Sequence, residues 1–201
     1  MKTATEIRQA IESMPAGKPF LVSCFLALGN RSSIDQAISR LTREGVIMRV
    51  SRGVYVRPKS SRLFGQAMPP TEAIIKAVTE AHGETVEIHG AEAERRFGLS
   101  TQTMMKPVYL TSGPSRKVRI GKLEVELRHA SARKLTLAGT KAGQAMLALL
   151  NRGKAGVGER EIDLIRKQLR PEEFKILTSA HGLIPGWLFA ALSRSQLPQH
   201  V

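Results

Sequence analysis

The apolar positions between residues 31 and 57 change their spacing once, from a helical period to short strand-like runs. Up to Gly45 they recur every three or four residues, which predicts an amphipathic helix that ends at this glycine. Beyond Gly45, two β-branched runs flank Ser51-Arg52-Gly53, where glycine accepts the positive φ of a tight hairpin turn. A helix followed at once by a basic-tipped hairpin is the layout of a winged helix-turn-helix. The apolar helix face consists of Ile34, Ala37, Ile38 and Leu41.

The opposite face of this helix carries side chains of the kinds that bind DNA. Gln36 and Arg40 lie one turn apart and suit paired hydrogen bonds to adenine and guanine edges, respectively. The helix N-terminus suits a phosphate, because its first backbone N–H groups lack helical partners. Arginines at the helix end and in the hairpin suit other phosphates, and Arg52 at the tip also suits the minor groove. The predicted DNA-binding residues are Arg31, Ser32, Ser33, Gln36, Ser39, Arg40, Arg43, Arg49 and Arg52.

The residues before this helix complete a module of typical winged-helix size. An apolar stripe predicts a first helix that ends at Pro15, and Ser23 is placed to cap a short helix over residues 24–28. Residues 1–60 are therefore predicted to form a winged helix-turn-helix DNA-binding domain. Residues 61–70, which include Pro69-Pro70, have the composition of a linker.

The pattern over residues 71–201 predicts a mixed α+β C-terminal domain with a helical end, so the fold class of the chain is α+β. A helix begins at Thr71, and a later short helix stops at Gly98. Residues 123–128 alternate with period two after the hairpin turn Gly121-Lys122. The other predicted strands are residues 85–88, 108–111 and 117–120, and the terminal helices begin near residues 140, 160, 172 and 187.

The charge of the chain favours an anionic partner. Lysine and arginine number 31 against 17 acidic residues, which gives a net charge of +14. Between Arg31 and Arg62 the acidic residues are Asp35 and Glu44, so the excess is dense around the predicted helix and hairpin. Because the C-terminal domain is also basic, with cations along residues 160–170, an RNA-binding or RNA-processing protein is the alternative.

Catalytic and metal-binding patterns do not emerge from the sequence. The five histidines are scattered without ligand-like spacing, and no nucleophile has a neighbouring base. We therefore expect no enzyme activity, no cofactor and no metal. The single cysteine, Cys24, lies among apolar residues and is expected to be buried. Since the N-terminus lacks an apolar signal core and no run approaches the ~20 apolar residues of a membrane span, we expect a cytoplasmic protein without membrane contact.

The segment 98–113 is unusually rich in polar side chains for a connection between a helix and a strand. Local capping by hydroxyl and amide groups explains such a composition, because these groups satisfy backbone atoms in turns. A functional role is the other interpretation. Its candidate residues are Ser100, Thr101 and Gln102.

Three motifs resemble the antitoxins of bacterial AbiE-type (type IV) toxin–antitoxin systems, which act in abortive infection and phage defence. The resemblance extends over roughly residues 5–150. Its motifs are Ala37-Ile-Ser-Arg-Leu41 with Gly45, Arg49-Val-Ser-Arg-Gly-Val-Tyr55, and Gly98-Leu-Ser-Thr-Gln102 with Val108-Tyr-Leu-Thr-Ser-Gly113.

The resemblance implies a transcriptional repressor that binds inverted repeats in the promoter of its own operon. It also implies that the C-terminal domain neutralises a nucleotidyltransferase-like toxin without a stable complex, and that the segment around Ser100, Thr101 and Gln102 has a role in this. A recognition helix of this length contacts few base pairs, so we expect two copies on DNA, which is compatible with a monomer in solution.

Overall fold

The chain folds into two compact units in a computed structural model that describes residues 2–61 and 65–195. Unit 1 contains the described residues up to Gly83 together with Val118–Glu124. Unit 2 contains Glu84–Lys117 and the described residues from Val125 onward. Helices and strands occur in both units, so the predicted α+β class is confirmed. Within the described ranges, no helix is both long enough and apolar enough to cross a membrane.

Unit 1 combines helices with a small antiparallel sheet. Its elements in chain order are α1 (Lys2–Ser13), β1 (Pro19–Leu21), a 3-10 helix (Val22–Leu28), α2 (Arg31–Arg43), β2 (Met48–Ser51), β3 (Val54–Val56), β4 (Lys59–Ser61), β5 (Gly65–Ala67) and α3 (Thr71–Glu80). Strand β3 is central, because it pairs with β2 on one edge and with β1 on the other. This third strand stabilises the β2–β3 hairpin, since an isolated two-stranded hairpin is marginally stable in water.

The core of unit 1 lies where α1, α2 and the 3-10 helix pack together. The predicted apolar face of α2 is buried in this core. Phe20 of β1 stacks against Tyr55 of β3 with ring centroids 6.4 Å apart and meets the edge of Phe25 at 5.8 Å. Full burial of an aliphatic or aromatic side chain contributes about 1.5–3 kcal/mol, so this cluster fixes the orientation of α2. Its fully buried members include Ile7, Ile11 and Ile34.

Residues 19–28 differ from the sequence prediction. The 3-10 helix begins at Val22, so Ser23 lies inside it and does not cap a helix. Cys24 is exposed, and the expectation of a buried thiol is wrong. Its Sγ donates a hydrogen bond to the Leu21 carbonyl at 2.7 Å. Partial burial removes water from the thiol and raises the pKa of Cys24.

The compact units divide the chain at Gly83, whereas the sequence predicted a linker over residues 61–70. Strands β4 and β5 pair there as an antiparallel hairpin, and residues 62–64 of the predicted linker lie outside the described residues. Helix α3 belongs to unit 1 because it contacts β1 and β3, with Ile74 and Ile75 fully buried. A short polar, proline-containing stretch therefore does not mark the edge of this unit.

Unit 2 is built around a sheet with the strand order β6-β7-β9-β8, in which β7 runs antiparallel to β6 and parallel to β9. The far end of the β8–β9 hairpin, Val118–Glu124, clusters with unit 1. The elements are β6 (Val86–Ile88), α4 (Gly90–Arg96), β7 (Val108–Thr111), β8 (Arg116–Ile120), β9 (Leu123–His129), α5 (Ala132–Leu135), α6 (Lys141–Arg152), a 3-10 helix (Lys154–Gly156), α7 (Glu159–Gln168), α8 (Pro171–Thr178) and α9 (Gly186–Arg194).

Helices α4 and α6 pack closely because Gly90 has no side chain. A Cβ at this position would lie 2.5 Å from Cβ of Asn151 and 2.8 Å from the Leu147 carbonyl oxygen. Beside this contact, the buried Glu94 accepts a hydrogen bond from Asn151 Nδ2 at 2.7 Å. The charge of Glu94 is further balanced by Arg152, whose Nη1 lies 3.6 Å away.

His89 caps α4 in a way that makes stability depend on pH. Its Nδ1 accepts a hydrogen bond from the Ala91 N–H at 3.2 Å, which requires an unprotonated nitrogen. Burial, with the positive charges of Arg128 and Lys134, lowers the pKa of His89 below its ordinary value of 6.5. The folded state therefore binds fewer protons than the unfolded state, and stability should fall as pH drops below about 6.5.

His89→Asn should reduce this loss of stability, because asparagine caps a helix without titrating. The measurement is the urea midpoint of wild type and variant at pH 7 and pH 5. If the urea midpoint falls equally far between pH 7 and pH 5 in wild type and in the variant, the assignment to His89 is contradicted.

Candidate nucleic-acid interface

Helix α2 is fixed at both ends by its own sequence. At its start, the Asn30 side chain accepts the Ser33 N–H at 2.9 Å. At its end, Gly45 adopts φ +73°, the Gly45 N–H donates to Thr42 O at 3.2 Å, and the Val46 N–H donates to Leu41 O at 3.0 Å. This pattern is a Schellman motif, which requires a left-handed residue at Gly45. The predicted end of the helix at Gly45 is therefore confirmed.

The exposed face of α2 consists of the residues predicted from the sequence. Two shallow depressions run along it, one beside the helix and one between α1 and α2. Gln36 and Arg43 line both depressions, and Arg40 lines the one that faces α1. Ser33 is half-buried, whereas the other predicted residues of this helix are exposed: Arg31, Ser32, Gln36, Ser39, Arg40 and Arg43.

The acidic residues close to this face are already neutralised. Asp35 accepts a hydrogen bond from Arg31 Nε at 3.0 Å, and Glu44 forms an ion pair with Arg8 of α1. Throughout residues 2–61 and 65–195, Arg40 and Arg43 take part in no ion pair. The helix therefore presents cations without local counter-charges, which is the arrangement that favours an anionic ligand.

The β2–β3 hairpin places further cations next in the chain. Its turn is Arg52-Gly53, with Gly53 at φ +73°, and the pairing register shifts between Arg49 and Ser51. Both predicted arginines of the hairpin, Arg49 and Arg52, are exposed. Arg49 Nε donates a long hydrogen bond of 3.4 Å to the Ser51 carbonyl. Arg52 forms no ion pair in the described parts of the chain.

The other predicted residues belong to unit 2 and are not part of the α2 surface. Ser100 is half-buried, and its Oγ accepts the Gln102 N–H at 3.1 Å, so it has the capping role that turns commonly require. The side chains of Thr101 and Gln102 are exposed. These two residues are the part of the segment that local structure leaves unexplained.

The sequence does not predict a partly buried ion cluster in unit 2. Glu84, with a side chain 10 % exposed, receives two hydrogen bonds from Arg116, of 2.7 and 2.9 Å, and one from Thr111 Oγ1 at 3.0 Å. A Cβ at Gly113 would lie 2.2 Å from this carboxylate. The run from Thr111 to Arg116 is polar in the sequence, but its partner lies about 30 residues away, so spacing gives no signal. The carboxylate is satisfied by protein groups, which indicates a structural role.

In the described part of the chain, no group of three or more His, Cys, Asp and Glu residues is placed to hold a metal ion. Arginine, serine and glutamine are the main side chains on the exposed face of α2, which the sequence predicted. Such side chains can pair with an anion and form hydrogen bonds with polar groups of a ligand.

The chain is an α+β protein in which one face of α2 exposes several cationic side chains. The chain belongs to the family described as "Family of unknown function (DUF6088)", whose match covers residues 6–177. No curated protein matches the chain. The matched region begins within α1 and ends within α8, so it includes α2, the β2–β3 hairpin and segment 98–113.

Proposed function

We propose that unit 1 is a winged helix-turn-helix that binds double-stranded DNA, with α2 in the major groove and the β2–β3 hairpin as the wing. The observation that carries this proposal is the exposed face of α2, whose Arg40 and Arg43 have no ion-pair partner in the described residues, beside a hairpin tipped by Arg52. The anchored sheet supports it further, because a wing must be held rigidly to contact DNA beside the helix.

The contacts support different tasks in DNA binding for the predicted residues. Gln36 and Arg40 are the base-reading pair, because their exposed side chains project from adjacent turns. Arg43, Arg49 and Arg52 contact phosphates. Arg31 contributes less, since Asp35 already holds its guanidinium. At the helix N-terminus, Ser32 is better placed for a phosphate than Ser33, whose N–H is taken by Asn30.

The length of α2 favours a paired site on DNA. Its 13 residues span about 20 Å at 1.5 Å per residue, and the N-terminal half of such a helix reaches a few base pairs. Specific binding in a genome therefore calls for two copies of the protein on inverted repeats. Such repeats in the promoter of its own operon would make the protein an autoregulatory repressor.

We further propose that the protein is the antitoxin of a type IV toxin–antitoxin operon and neutralises a nucleotidyltransferase-like toxin without a stable complex. The motif resemblance over residues 5–150 supports this proposal. The exposed Thr101 and Gln102 add to it, because their hydroxyl and amide groups are not used to satisfy their own loop in any described contact.

Two variants should separate the two activities. The protein is expressed with the product of the neighbouring gene, which the proposal takes to be the toxin, and growth and promoter activity are measured together. Arg40→Ala should weaken repression but keep rescue of growth, whereas Thr101→Ala/Gln102→Ala should abolish rescue but keep repression. A neighbouring gene that does not inhibit growth, or a wild-type protein that does not rescue growth, would contradict the antitoxin proposal. Rescue that survives Thr101→Ala/Gln102→Ala would contradict the role proposed for these two residues.

RNA binding by unit 2 is the second candidate, favoured by the cations of α7. Two arginines of that region are already engaged: Arg166 lies over the Phe174 ring at 5.5 Å, and Arg170 pairs with Glu173 at 3.0 Å. Helix α2 is therefore the better anion surface. Binding of the full chain to promoter DNA and to structured RNA at equal salt separates the candidates, and a preference for RNA would favour the second.

A further inference from the structure

The end of the β8–β9 hairpin, Val118–Glu124, belongs to unit 1 although it lies more than 60 residues after the wing. Ser51 Oγ donates a hydrogen bond to the Arg119 carbonyl at 3.0 Å. Ser51 is the last residue of β2 and directly precedes Arg52. The hairpin end is therefore anchored to the base of the wing tip.

This hairpin end presents two cations to solvent. Val118 and Ile120 are buried on one side of β8, and Arg119 between them is exposed, as strand alternation requires. Lys122 follows in an exposed turn in which Gly121 adopts φ +57°. In the residues that the structure describes, neither Arg119 nor Lys122 forms an ion pair.

We propose that Arg119 and Lys122 form a second wing, which contacts the phosphate backbone of the same DNA as Arg52. The hydrogen bond between Ser51 and Arg119, with one further Cα step to Arg52, keeps the two arginine backbones within roughly 10 Å. Duplex DNA carries one charge per ~1.7 Å of axis, so a span of this length meets several phosphates. The inference rests on the proposed DNA binding and adds to it two residues from the C-terminal half of the chain.

The second wing should add affinity for DNA but not sequence specificity. Phosphate contacts add affinity without reading sequence. Arg119 and Lys122 should therefore strengthen binding to every DNA sequence equally and increase its dependence on salt. Specificity should remain with Gln36 and Arg40 of α2.

The test uses the full chain with Arg119→Ala/Lys122→Ala. The matched control is Arg160→Ala/Lys167→Ala, which removes the same charge from exposed positions of α7 in unit 2. Dissociation constants for upstream DNA and for a scrambled duplex are measured at several salt concentrations. Arg119→Ala/Lys122→Ala should bind both duplexes more weakly by the same factor. The slope of its log affinity against log salt concentration should shrink by about 0.9 for each phosphate that it no longer neutralises. The control should match wild type.

The outcomes separate this inference from the proposed function. The second wing would be overturned if Arg119→Ala/Lys122→Ala kept the wild-type salt slope. It would also be overturned if this variant lost no more affinity than the control. Loss of specificity in Gln36→Ala/Arg40→Ala in the same assay would then leave the proposed function standing. If those α2 changes also have no effect, the proposed function fails as well. Unchanged thermal unfolding midpoints in all variants establish that the comparison concerns binding.

Discussion

Replacing Gln36 or Arg40 by alanine should weaken specific DNA binding by about 1–3 kcal/mol each, roughly 5- to 150-fold. Each residue is exposed on α2, and each side chain is suited to a paired contact with one base. Because the loss concerns base edges, binding to a scrambled duplex should change much less for Gln36→Ala. The double variant should discriminate poorly between operator and scrambled DNA.

Arg52→Ala provides the contrast to these α2 variants. Its position in the turn of the β2–β3 hairpin predicts weaker binding to all sequences and a smaller salt slope, with the ratio of specific to scrambled affinity preserved. Competition titrations at two salt concentrations measure both quantities. Unchanged affinity in all three variants, Gln36→Ala, Arg40→Ala and Arg52→Ala, would exclude this surface as the DNA-binding site.

Replacing Arg116 by alanine should destabilise the fold by about 1–3 kcal/mol, the range for leaving a largely desolvated polar group without its partner. The change leaves the Glu84 carboxylate, with a side chain only 10 % exposed, without its double hydrogen bond. Thr111 Oγ1 would remain as a partner, but a hydroxyl does not balance a buried charge. The free energy of unfolding in urea measures the loss.

Arg128→Ala is the matched control for this prediction. Arg128 also donates two hydrogen bonds to a carboxylate, that of Glu126, at 2.9 and 3.1 Å. This pair is exposed to solvent, where screening leaves an ion pair little net effect on stability. Equal stability changes in Arg116→Ala and Arg128→Ala would contradict the role assigned to burial.

Local sequence patterns predicted much of the candidate site. The face of α2 follows from an apolar period that the core confirms, and its end follows from Gly45. The hairpin follows from β-branched runs around Gly53. These features depend on residues within a few positions of one another, so the sequence displays them directly.

Long-range contacts explain what the sequence could not supply. Strand β1 has three residues, too few to show a period, and it is defined by pairing with β3 more than 30 positions later. The sequence predicted that helix α3 begins a new domain. Its contacts with β1 and β3 join residues far apart in the chain, so no local sequence pattern indicates them. The same holds for Glu84 with Arg116 and for Ser51 with Arg119. In each case the partner lies far along the chain, and composition around either residue is ordinary.

The most direct test of DNA binding by unit 1 is a footprint of the full chain on the DNA just upstream of its own reading frame. It is carried out at physiological salt with an excess of scrambled competitor. We expect protection of paired repeats by the wild-type protein and loss of that protection in Gln36→Ala/Arg40→Ala. Uniform, salt-sensitive coating of the DNA, or a footprint unaffected by the double variant, would contradict the account.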